Sequence, residues 1–269
     1  MKPVKRIAAI SVSGILILLF ILPGCKKNDE PAPQLPPESS FVMNFNDFSS
    51  ADDTLAQRDL TSYHNWGHAY SKVAVWNTII AVGLAVPVAS FLESFNHEAV
   101  YHPDDNNWTW SYNVTHAGKI YEAELTGYLQ ADSVVWEMRV TKSDEFSDFL
   151  WYRGKSHTDR TGGYWILMND PLDPYTLLKI DWSQDFNGSS SLRYTNIVPG
   201  GIENGGYIYY GVVPDSFDRF YDIYNKGHNN LTEIEWNHTD LNGHIKDPEF
   251  YQDTSWHCWG TGLQDIDCP

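Results

Sequence analysis

The sequence predicts a mainly β protein: an antiparallel meander of about ten strands, curled into a barrel or half-barrel and packed on one long N-terminal apolar helix. Three observations carry this expectation. From Trp108 onward, apolar and polar residues alternate with period two in one segment after another. Gly, Pro, Asn and Asp cluster between those segments, as tight reversals require. Ahead of them, VAVWNTIIAVGLAVPVASFL (73–92) runs without a single charge.

The strands are expected at 108–114, 119–130, 133–142, 147–156, 163–169, 176–184, 191–197, 206–213, 218–225 and 231–238. In 133–142, Val134, Trp136, Met138 and Val140 share one face, and Glu137, Arg139 and Thr141 share the other. In 176–184, Leu178, Ile180 and Trp182 oppose Lys179 and Asp181. One apolar and one polar face mean a sheet buried on one side and wet on the other. Short loops make each strand pair with the next, and ten twisted strands do not stay flat. An outer-membrane barrel is the rival reading, but it would leave the apolar helix without a role.

The helix is expected from about 54 to 96. Within 73–92 its apolar residues go all the way round, with a small-residue stripe of Ala74, Thr78, Ala81, Ala85 and Ala89. Such a helix either spans a membrane or is deeply buried. Burial is favoured, because a curved sheet has an apolar inner face that something must cover. Pro87 should bend the helix.

The N-terminus fixes a destination. Lys2, Lys5 and Arg6 precede an apolar run from Ile7 to about Leu22, the pattern of a secretory signal. The run ends in Leu22-Pro23-Gly24-Cys25, which resembles the lipobox of bacterial lipoproteins. That resemblance implies a signal peptide at 1–24, removed before a Cys25 that carries acyl chains. Two or more chains anchor a protein stably. Residues 25–40, with Pro31, Pro33, Pro36 and Pro37, read as a Pro-rich tether, and 41–269 as a single domain: the helix, the meander over about 108–259 and a C-terminal tail. The run Lys26-Lys27-Asn28-Asp29-Glu30 is similar to export signals of Bacteroidetes surface lipoproteins. Leu35 to Met43 with Asn44-Phe45 resembles the opening of uncharacterised lipoproteins of that group. The resemblance places the protein at the outer membrane, lipid-anchored, facing the periplasm or the surface.

Without Lys2, Lys5 and Arg6 the mature chain has 15 Lys and Arg against 35 Asp and Glu, a formal net charge of −20. That excludes nucleic acid as a partner, which needs clustered cations, and leaves membrane attachment to the lipid. The remaining cysteines, Cys258 and Cys268, form an even pair in an oxidising compartment and read as one disulfide.

No catalytic constellation stands out. The chain lacks GxSxG, P-loop, Rossmann and CxxC patterns. His64 and His68 stand at i and i+4, but without the HExxH glutamate they read as a polar helix start. His97, His102, Asp104 and Asp105 form a polar loop cluster, and Asp240, Asn242 and Asp247 lack the full calcium-loop pattern. No metal and no cofactor is therefore assigned. Asp53-Thr54-Leu55 and Asp132-Ser133-Val134 resemble a short O-glycosylation motif of Bacteroidetes proteins. The function expected is a non-enzymatic binding or structural protein, taking an apolar ligand or an envelope-protein partner. The alternative is a glycan-binding or glycan-cleaving lipoprotein, suggested by the chain's 11 Trp and 16 Tyr. A curved sheet over an apolar helix also looks like the half-barrel of lipoprotein carriers that hold acyl chains, an analogy of architecture alone.

Overall fold

The computed structural model describes residues 31–45, 48 and 62–269. The signal peptide, Cys25 and the expected helical start at 54–61 lie outside the described residues. Ala32–Pro269 forms one compact unit.

The fold is one antiparallel meander of fourteen strands, each paired with its sequence neighbours. They are β1 (Val100–His102), β2 (Asn107–His116), β3 (Lys119–Gln130), β4 (Ser133–Lys142), β5 (Phe146–His157), β6 (Gly162–Met168) and β7 (Thr176–Gln184). Then come β8 (Ser190–Asn196), β9 (Tyr207–Val212), β10 (Arg219–Asn225), β11 (Asn230–Trp236), β12 (Gly243–Lys246), β13 (His257–Trp259) and β14 (Asp265–Ile266). The ten expected strands correspond to β2–β11. The count of ten is corrected to fourteen by β1, β12, β13 and β14, which are too short to show a period. The sheet is not closed: β1 and β14 are its two edges.

Alternation sets the two faces. One inner row runs Gly127, Trp136, Gly154, Trp165, Ile180, Tyr194, Ile208 and Ile223 across successive strands. Large and small residues alternate at its start, so each indole lies over a neighbouring glycine. A Cβ on Gly127 would come within 2.8 Å of the Trp136 ring, and one on Gly154 within 2.4 Å of Trp165. Trp136, Trp165, Tyr152 and Tyr194 are fully buried there. The facing outer row carries Lys155, Tyr164, Asp181, Arg193, Tyr209, Asp222, Glu233 and Lys246.

The expected single long helix is two. α1 (His64–Gly83) and α2 (Ala85–Glu93) meet at a 72° bend. Pro87 explains the break: it lacks the N–H that would reach the Gly83 carbonyl, and it sits in the first turn of α2, where that donor is not needed. α1 packs against β12, β13 and β14, and α2 against β2. Nor is the helix buried all round. Trp66, Ala69, Val73 and Ile80 face inward, while Val75, Ile79 and Val82 are exposed. Among the described residues no single helix is long and apolar enough to cross a membrane.

Of the expected tether at 25–40, the part that is described is docked on the domain. Pro36 and Ser40 are buried and Leu35 packs on the core. Residues 32–48, as far as described, form a strap across the inner face. Phe41 stacks on Phe91 at 4.8 Å and touches Tyr152 and Trp165. Phe45 stacks on Tyr221, and Phe48 meets Trp236 at 4.8 Å. Burying a Phe completely contributes about 2–3 kcal/mol, and Phe41 and Phe48 are buried, with Phe45 partly so.

Candidate functional site

The N-terminus of α1 is fixed by the C-terminal hairpin. The backbone N–H groups of His64 and Asn65 donate to the Asp265 carboxylate at 3.2 and 2.9 Å. This is a helix cap supplied by a residue two hundred positions away, at the end where a negative charge is favoured. The Asn65 amide donates to the Cys258 carbonyl at 2.9 Å. Cys258 and Cys268 form a disulfide with Cα atoms 5.2 Å apart, closing the tail around β13 and β14.

One turn further along α1, His68 and Lys72 both reach Asp247, at 2.8 and 2.9 Å. Asp247 is fully buried and also receives the Asn230 amide at 2.7 Å. Burial alone would raise its carboxyl, but the hydrogen bonds from His68, Lys72 and Asn230 outweigh it and hold it well below the ordinary range. His68 lies flat on Phe250, with ring centroids 3.6 Å apart. The His64–His68 pair thus serves to seat α1. Among the described residues no group of three or more His, Cys, Asp or Glu is placed to hold a metal ion. Asp247, considered with Asp240 and Asn242 for calcium, belongs to this clamp instead.

Beyond Lys72, a groove of about 760 Å³ lies between α1 and the sheet. Trp76, Ile80 and Leu84 form its helical wall, and Leu178, Ile223 and Thr232 its floor. The volume falls in the range of small-molecule sites, and the lining is mostly apolar. The groove lies at one end of the strands, under the loops 169–175 and 197–206 and the turn 226–229. Asn169, Asn196, Asn225 and Glu203 line its edge. Three hold their own loops: the Asn169 amide donates to the Asp173 carbonyl, and the side-chain carbonyls of Asn196 and Asn225 accept from the Val198 and His228 N–H groups; Glu203 ties its loop to the next turn by accepting the N–H groups of Lys226 and Gly227. Two aliphatic side chains stand free on these loops, Leu172 at 86% exposure and Ile202 at 82%. Chemically the arrangement is an apolar cleft with amides and one carboxylate at its edge.

The other candidates are dispersed. His97 pairs with Glu93 and stacks on Tyr112, apart from the β1 residue His102. Ser133 of the second glycosylation motif is buried and donates to the Gln130 carbonyl, and the motif at 53–55 lies outside the described residues. Nine of the 11 Trp are buried; Trp76 lines the groove and Trp256 is half-buried, stacked on His244 at 3.8 Å. The indoles therefore build the core and offer no exposed platform for sugar rings. Sequence reasoning missed the groove because its floor residues carry the same alternation as the rest of the core. In comparisons with known proteins, no family model, curated protein or solved structure matches this chain.

Proposed function

We propose that this chain is a cell-envelope lipoprotein, anchored through acylated Cys25 to the outer membrane, whose β domain is a half-barrel that binds an apolar chain such as an acyl group. The supporting observation is the groove beside α1: a helix that filled the inner face completely would leave no room for a ligand. Its apolar wall and floor and its volume of about 760 Å³ suit a flexible hydrocarbon. The lipobox-like Leu22-Pro23-Gly24-Cys25 supports the anchor, and the mature charge of −20 leaves the lipid to supply membrane attachment.

The test uses the mature chain, residues 25–269, with Cys25→Ser to keep it unlipidated. This chain retains every described contact of the fold. A fluorescent acyl probe should bind at micromolar concentration, and Val75→Trp, at an exposed position on the groove wall, should weaken binding about ten-fold. Equal binding by the variant, or none by either chain, would sink the ligand reading. Labelled palmitate should enter the full-length chain and not its Cys25→Ala variant; incorporation by both would remove the anchor.

A further inference from the structure

Charge at the mouth of the groove narrows what can lie in it. The loops and helix around the opening carry the carboxylates Asp170, Asp173 and Glu203 against the ammonium groups of Lys72 and Lys226. His68 and His228 are already partnered, by Asp247 and Glu249. The cation nearest the cavity, Lys72, is held by Asp247 at 2.9 Å. Glu203 is fixed at the edge by the N–H groups of Lys226 and Gly227, and Asp170 is fixed by the N–H of Leu172. No arginine lines the groove, and no backbone N–H nest opens into it from a helix start, because the α1 N-terminus is taken by Asp265.

We infer that the groove takes an amphiphile whose head carries no negative charge: an esterified acyl chain or one with a cationic head, rather than a free fatty acid or a phosphomonoester. This rests on the proposed groove function and assigns its specificity. An anionic head held at this opening would face Asp170, Asp173 and Glu203, with Lys72 already held by Asp247 and the exposed Lys226 the one cation among these groups left to balance them. A like-charge contact of that kind discriminates against a ligand, as a steric clash also does. A neutral head meets amides and hydroxyls at the edge, and a cationic head meets Glu203 and the loop aspartates.

The experiment compares three ligands of one chain length on the unlipidated mature chain at pH 8: dodecanol, dodecyltrimethylammonium and dodecanoate. Each is kept below its aggregation concentration and read by displacement of the fluorescent acyl probe. Dodecanol and dodecyltrimethylammonium should displace it, with dodecanoate at least about ten-fold weaker. Glu203→Gln with Asp173→Asn should narrow that gap. Dodecanoate binding as tightly as the other two would overturn the specificity and leave the groove function standing. Displacement by none of the three would overturn both.

Discussion

The Tyr194 hydroxyl donates to the Phe41 carbonyl at 2.8 Å and accepts the Met43 N–H at 2.9 Å. One buried phenol on β8 thus satisfies both backbone groups where the strap crosses the middle of the sheet. Tyr194→Phe would leave that carbonyl and that N–H unpaired in the core, at a cost of about 1–3 kcal/mol. A lowered midpoint in thermal or urea unfolding should report it. An unchanged midpoint would mean that Phe41 packing alone holds the strap.

Two glycines should respond in opposite directions. A Cβ on Gly154 meets the Tyr164 carbonyl oxygen at 2.3 Å, and backbone cannot step aside. Gly154→Ala should therefore destabilise by about 1–3 kcal/mol. Gly67, in the first turn of α1, has nothing within 4 Å of its Cβ position. Gly67→Ala should be neutral or stabilise by up to about 1 kcal/mol. The pair is read in one denaturation series, and equal effects would contradict the close packing of indole over glycine.

Asp222 on the outer face is pushed up to about 6 by burial, with Glu233 and Glu235 adding repulsion. Its folded value lies above its unfolded one, so the unfolded chain loses this proton first as pH rises. Stability should fall between about pH 4 and pH 6, and the penalty should persist above that range. Asp222→Asn removes the penalty and should stabilise the protein at pH 8 by about 1–2 kcal/mol, with little effect at pH 4. A stabilisation independent of pH would argue against the raised carboxyl.

Reduction of Cys258–Cys268 should act beyond the tail. The bridge should contribute about 2–3 kcal/mol, and the hairpin it closes carries the Asp265 cap of α1. Hydrogen exchange at the amides of residues 64–67 should accelerate on reduction, and faster still in Asp265→Ala. Binding of the acyl probe should weaken in step, since α1 is one wall of the groove. Unaltered exchange in the reduced protein would separate the disulfide from the helix.

Much of this architecture is legible in the sequence. The expected strands 119–130, 133–142 and 176–184 coincide with β3, β4 and β7 to the residue. Long alternating runs between turn residues leave little freedom there. Four short strands escape, since two to four residues display no period. The bend at α1–α2 is foreshadowed by Pro87, but which helical face stays wet is not: exposed Val75 and Ile79 are the same residue types as buried Val73 and Ile80. The strap hides because PAPQLPPESS has the composition of a tether, and docking depends on what the sheet offers it. Lys72 and Asp247 lie far apart in the chain, so only the folded meander reveals their clamp, and the groove is a space between elements that no single segment displays.

The order of the strands also bears on how the chain reaches this state. Because every strand pairs with its neighbour in sequence, the sheet can zip up through local contacts, which favours rapid assembly for a β protein. The strap and α1 are different: the bonds from Met43 to Tyr194 and from Asn65 to Asp265 join residues 151 and 200 positions apart. These N-terminal segments emerge first during synthesis, yet the strap cannot dock until β8 is in place, nor the start of α1 until the last hairpin is. Until then a wall of Trp and Tyr stands uncovered, and the newly made chain passes through an aggregation-prone stage that ends only with closure from its own N-terminal segments.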